Sequence, residues 1–112
     1  MDEKLMAHGQ DGTTILEIAD RVRTPAFVLA ESSIRKALAQ VEKVRHETGC
    51  KVLYALKPLC HPDALHWMAG RVDGMAASSL FEATLAREVL GPKGLVSITS
   101  PGLRAVASIS AR

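Results

Sequence analysis

Apolar and polar residues change their spacing several times along the chain, and each change marks an element. Ile15, Leu16, Ile18, Ala19 and Val22 recur at helical spacing behind Thr13 or Thr14, either of which can cap a short helix. Pro25 ends any helix by Thr24 and opens an extended segment, Ala26 to Leu29. Ser32 or Ser33 then caps a second helix carrying Ile34, Leu38, Val41 and Val44 or Arg45 on one face. Arg35, Lys36, Gln40, Glu42 and Lys43 are left toward water, and Gly49 is placed as the stop.

The period then vanishes. Val52, Leu53, Tyr54, Ala55 and Leu56 form an unbroken apolar run, which predicts a strand covered on both faces, as in a parallel sheet. Pro58 ends it, since proline brings no N–H to a ladder. Helical spacing returns at Pro62 through Ala64, Leu65, Trp67, Met68 and Ala69, closed by Gly70. Val72 to Ala77 is a weaker strand, whose small side chains suggest close backbone approach to a neighbour or a cofactor. Ser79 and Glu82 form a capping box ahead of Ala83, Leu85, Ala86, Val89 and Leu90. Gly91-Pro92 stops that helix, Leu95 to Ile98 is the last strand, and Ser100-Pro101-Gly102 is a turn. Ala105 to Ser110 can begin another helix. Strands alternate with helices and the connections are too long for hairpins, so the pattern predicts an α/β fold built of parallel βαβ units.

Composition narrows the function classes. The sequence has 112 residues, 47% of them hydrophobic, and a formal net charge of +2. That charge is too small and too scattered to argue for nucleic acid or an anionic membrane. No apolar run reaches the length of a membrane span. The acidic start Met1-Asp2-Glu3-Lys4-Leu5 is unlike a signal peptide, and reduced Cys50 and Cys60 suit a cytoplasmic protein.

Lys57 is the residue with chemistry to offer. It stands at the carboxyl end of the apolar run, where α/β folds build their sites. An amine held there and partly desolvated can attack a carbonyl and form a Schiff base. Cys60, His61 and His66 are metal-ligand types without the second pair a zinc site needs, although Cys60 and His61 can edge a pocket at Lys57. Gly91-Pro92-Lys93-Gly94 lacks the spacing of a phosphate loop.

Three blocks, in order, resemble one family. Thr24-Pro25-Ala26-Phe27-Val28-Leu29, Tyr54-Ala55-Leu56-Lys57 and Ala77-Ser78-Ser79-Leu80-Phe81-Glu82-Ala83 look like motifs of the alanine-racemase-like (fold type III) pyridoxal-phosphate decarboxylases. Within that family, the double serine Ser78-Ser79 and the later Ser100-Pro101 look most like the carboxynorspermidine decarboxylases. Ala76 departs from relatives that carry an acidic residue three positions before the serine matching Ser79, which speaks against ornithine and diaminopimelate decarboxylases. The resemblance runs from about Thr24 to about Leu103.

It implies residues 24–112 as the opening part of a (β/α)8 barrel that binds pyridoxal 5′-phosphate, behind an N-terminal extension of residues 1–23. It also implies Lys57 as the catalytic and cofactor-binding lysine, with Ser78 lining the cofactor. Ser79 and Glu82 match the family signature as well, but a cap explains them without it. The implied substrate is a carboxylated polyamine, and the implied enzyme is a cytoplasmic homodimer. The alternatives are another member of the fold type, such as diaminopimelate decarboxylase or the pyridoxal-phosphate homeostasis protein, or a non-catalytic interaction fragment. About three of the eight strands of such a barrel are visible, so the chain alone is expected to be inactive and no stable monomer.

Overall fold

The computed structural model describes residues 15–101, with the helix from Ala105 and the turn at Gly102 lying outside them. The chain divides into two compact units, residues 1–37 and 38–112. In the first, helix α1 covers Ile15–Ala19, shorter than the apolar spacing predicts. The segment predicted as extended after Pro25 joins no sheet among the described residues, and Phe27 on it is fully exposed. Helix α2, Glu31–Thr48, starts ahead of Ser32 and Ser33, which fall in its first turn. Ala30 occupies the cap position instead, its carbonyl accepting from Ile34 N at 3.2 Å. The helix ends as predicted at Gly49, whose φ of +70° is the left-handed region glycine tolerates.

The second unit holds the sheet. Strands β1 (Leu53–Ala55), β2 (Gly74–Ala77) and β3 (Leu95–Ile98) lie in that order, all parallel. Helix α3, Pro62–Ala69, joins the first two and helix α4, Leu80–Leu90, the last two. Pro62 opens α3 because its missing N–H is an orphan at a helix start in any case. Gly91 ends α4 with φ +72°.

The register separates the two faces of the sheet. Tyr54, Met75 and Val96 are paired in one row, and Ala77 and Ile98 in another, on the side that packs against Leu65, Ala83 and Ala86 of the helices. Leu56, Leu65, Met75 and Ala86 are completely buried there. On the other side, Leu53 and Leu95 stay 38% and 44% exposed, and Ala55 and Ser97 are exposed as well. The apolar run at β1 is therefore covered on one face, not on both. Among the described residues it is an edge strand, and α3 and α4 lie on a single side.

Gly74, the first residue of β2, has a steric reason to be small. A Cβ on Gly74 would stand 2.2 Å from the carbonyl oxygen of Leu95, its register partner. The close approach at Gly74 is thus to β3, and any side chain there would push the two strands apart.

Candidate functional site

Parallel strands bring their carboxyl ends to one edge, so residues that follow β1 and β2 meet there. Leu56 N donates to Ala76 O at 3.0 Å, carrying the ladder one residue beyond β1. Lys57 comes next and is exposed. The partial desolvation expected of it is not found, because nothing among the described residues covers the open side of the sheet edge. Its amine makes no hydrogen bond or ion pair among the described residues.

Across from it, β2 delivers Ser78 and Ser79 to the start of α4. Glu82 accepts from Ser78 N at 2.6 Å and from Ser78 Oγ at 2.8 Å, both on Oε2. Ser79, in extended backbone, is the N-cap, its Oγ accepting from Glu82 N at 3.2 Å. The cap is as the sequence predicts, with one difference: the glutamate reaches back past the cap residue to Ser78. These two donors hold the Glu82 carboxyl below the usual carboxylate range, the backbone N–H first, with the charge of Lys57 adding to the effect against burial. Lys57 and Glu82 therefore share one electrostatic neighbourhood. Ser79→Ala should cost about 1 kcal/mol, the usual loss of a helix cap. Urea titration measures that loss, and activity falling with stability unchanged would move Ser79 from the cap into the site.

Cys60 is half-buried beside this group, and burial first, then the charge of Glu82, pushes its thiol up. Burial also raises the Tyr54 phenol, with Cys60 contributing. Both stay protonated at neutral pH. His61, the N-cap residue of α3, makes no side-chain cap bond. Its buried Nδ1 lies 3.9 Å from Asp63 without a hydrogen-bond partner among the described residues, and His66 Nδ1 meets Pro62 O at 2.7 Å. Among the described residues no three His, Cys, Asp or Glu side chains converge as metal ligands. Ala76 faces the open side of β2, leaving an apolar wall.

A second cluster lies at the other ends of the strands, and sequence reasoning missed it. Asp73 accepts from Arg45 Nε at 2.9 Å, Arg45 Nη2 at 2.8 Å and Val52 N at 2.7 Å. Arg45 Nη1 donates to Arg71 O at 2.6 Å, and Arg71 grips Glu42 through two bonds of 2.9 Å. Glu42, assigned to a solvated face, is half of an ion pair. Of Val44 and Arg45, the arginine turns inward and the valine stays 48% exposed. The available signal was an acid and a base three apart on α2, facing Arg71-x-Asp73. Its place at the amino ends of the strands marks it as a clasp of the fold, not as a reaction site.

Sheet order and parallel pairing define an α/β protein whose strands are joined by helices, with Lys57 at the carboxyl edge of the sheet. No family model matches the sequence. Individual relatives do. The structure is similar to that of carboxynorspermidine decarboxylase from Campylobacter jejuni, crystallised with norspermidine, with a TM-score of 0.71 and 28% identity over 80% of this chain and 24% of that one. The sequence is 32% identical over 71 residues to a carboxynorspermidine/carboxyspermidine decarboxylase of C. jejuni, covering 63% of this chain. It is 31% identical over 70 residues to the protein of that name from Herminiimonas arsenicoxydans, covering 62% of this chain. It is also 33% identical over 81 residues to a carboxyaminopropylagmatine decarboxylase of Synechocystis, covering 72% of this chain. The chain spans about a fifth of the length of these curated relatives, which are 19%, 19% and 20% covered. The likeness to carboxynorspermidine decarboxylases read from the three motif blocks is borne out in both sequence and fold.

Proposed function

We propose that this chain is the cofactor-anchoring opening segment of a pyridoxal-phosphate-dependent decarboxylase acting on a carboxylated polyamine. The observation that carries the reading is Lys57, an exposed primary amine delivered by β1 to the carboxyl edge of a parallel sheet. The donor set fits the cofactor: an accessible amine, a hydroxyl at Ser78, and short side chains at Ala55, Ala76 and Ser97 that leave the adjoining face open. When bound, pyridoxal phosphate supplies the electron sink that makes loss of carbon dioxide feasible.

The chain's own part is attachment and electrostatics. Lys57 holds the cofactor. Glu82 stays ionised, fixes Ser78 and balances the positive charge of the lysine. Ser78 has one hydroxyl proton and gives it to Glu82, so it lines the cofactor as a wall and an acceptor rather than as a donor. The phosphate cradle and the substrate-reading groups belong to later strands of a barrel. A cytoplasmic homodimer is part of the same reading and rests on the resemblance. Among the described residues, no helix is long and apolar enough to cross a membrane.

A chimera tests this directly. Residues 24–101 replace the corresponding segment of the Campylobacter enzyme, and carbon dioxide release is followed from carboxynorspermidine and carboxyspermidine. Release that depends on Lys57 is the expected result. A chimera that folds, binds the cofactor and is indifferent to Lys57 would end the proposal, and a preference for diaminopimelate would redirect it.

A further inference from the structure

The bend that carries Lys57 is held by surprisingly little. Leu56 is fully buried and still in the ladder with Ala76. The next main-chain tie after it is Leu65 N to His61 O, at 3.0 Å. Between them, residues 57–60 have one hydrogen bond among the described residues: Tyr54 Oη donates to the carbonyl of Leu59 at 3.0 Å. Pro58 has no N–H to offer.

We infer that Tyr54 is a positioning residue for Lys57, its hydroxyl tying down the far side of the bend from which the lysine extends. The inference rests on the reading of Lys57 as the cofactor lysine. Tyr54 sits three residues before the lysine, on the covered face of β1, with its ring packed against the core. The ring is thereby a rigid post, and the bond it makes spans the lysine from Tyr54 to Leu59. Leu56 fixes the near side of the bend, and Tyr54 fixes the far side. Lysine has a flexible four-carbon stem, so the aim of its amine is set by the main chain that bears it. Burial keeps the phenol protonated, and it therefore remains a donor throughout the neutral range. The sequence signal was already there: Tyr54 is the sole tyrosine of the chain, placed in the strand that ends at Lys57.

The test is selective labelling of the chimera that carries residues 24–101, in which the rest of the barrel is supplied. Pyridoxal phosphate is added, reduced with borohydride, and the labelled lysines are quantified by peptide mapping. The readout is the ratio of label at Lys57 to label at the exposed Lys93. The wild type should favour Lys57, and Tyr54→Phe, which keeps the ring, should lower that ratio by about tenfold, as small misplacements of reacting groups do. Installing 4-aminophenylalanine at position 54, which restores a donor, should bring the ratio back. Asp73→Asn, chosen to weaken the fold at the opposite edge of the sheet, should leave it unchanged. An unaltered ratio in Tyr54→Phe overturns the inference while the cofactor reading stands. An equal fall in Asp73→Asn also overturns it, since the tyrosine would then act through stability alone. A wild-type ratio near unity removes both the inference and the reading beneath it.

Discussion

Lys57→Ala should remove the borohydride-trapped pyridoxyl label from the chain's favoured site while leaving its secondary structure in place. The loss is expected to be complete at that position, because the label requires the amine itself. The fold should tolerate the change. Lys57 is exposed, it makes no hydrogen bond or ion pair among the described residues, and the residue before it, Leu56, carries the packing. Surface substitutions away from packed or paired groups usually alter stability by no more than about 0.5 kcal/mol. Circular dichroism and peptide mapping on one sample separate the two effects. Label that persists on Lys43 or Lys93 with Lys57 unmarked would place the reactive amine elsewhere.

The second large effect concerns the clasp. Asp73→Ala should give the steepest fall in melting temperature of any polar substitution in the second unit, by several degrees. It removes three hydrogen bonds and leaves Arg45 Nε and Nη2 and the Val52 N–H without their acceptor, Arg45 Nη1 keeping only its bond to Arg71 O. Glu42→Ala should do less, since its carboxylate is more exposed, at 41% against 21% for Asp73.

The same groups set the acid response. The Arg45 hydrogen bond, then the Val52 N–H, hold Asp73 below its ordinary 3.8, and the Arg71 hydrogen bond holds Glu42 below 4.5. A carboxylate depressed in the folded state stabilises above its unfolded pKa and stops doing so as pH falls through the folded value. The melting temperature should thus be flat from neutral pH to about 5 and decline below about 4. Asp73→Asn should flatten that decline, and a wild-type decline beginning near neutral pH would refute the assignment.

Where apolar residues alone decided the structure, the sequence was easily read. Pro62, Gly49, Gly70 and Gly91 mark helix ends where the structure has them, and β3 matches its predicted range. Ser79 was recognisable as a cap because capping is a local interaction, complete within four residues. Errors arose where a partner lay far along the chain. Glu42 looks like a surface residue, and Arg45 no more than an alternative to Val44 on the apolar face, until Arg71 and Asp73, 29 and 28 residues on, come alongside. The double coverage expected of β1 failed for a related reason: an apolar run shows that a strand can be buried, whereas which faces are covered depends on elements elsewhere. The place of Lys57 at a strand end was legible, and its exposure was not, since exposure is a property of what surrounds the edge.

The alternation of faces along the three strands has a consequence for how such a segment can change over generations. Ala55, Ala76 and Ser97 form one row across the sheet, and Tyr54, Met75 and Val96 form the neighbouring row. The second row is committed to the interior shared with α3 and α4, where a lost methylene leaves a void. The first row has no such debt within this unit. Within this unit, size and polarity at Ala55, Ala76 and Ser97 are not tied to the packing of α3 and α4, and a barrel built on this segment would turn that row into its interior. Those three positions adjoin the edge that carries Lys57, so in such a barrel inherited variation there would reshape the interior beside that edge and leave the packing of α3 and α4 as it is.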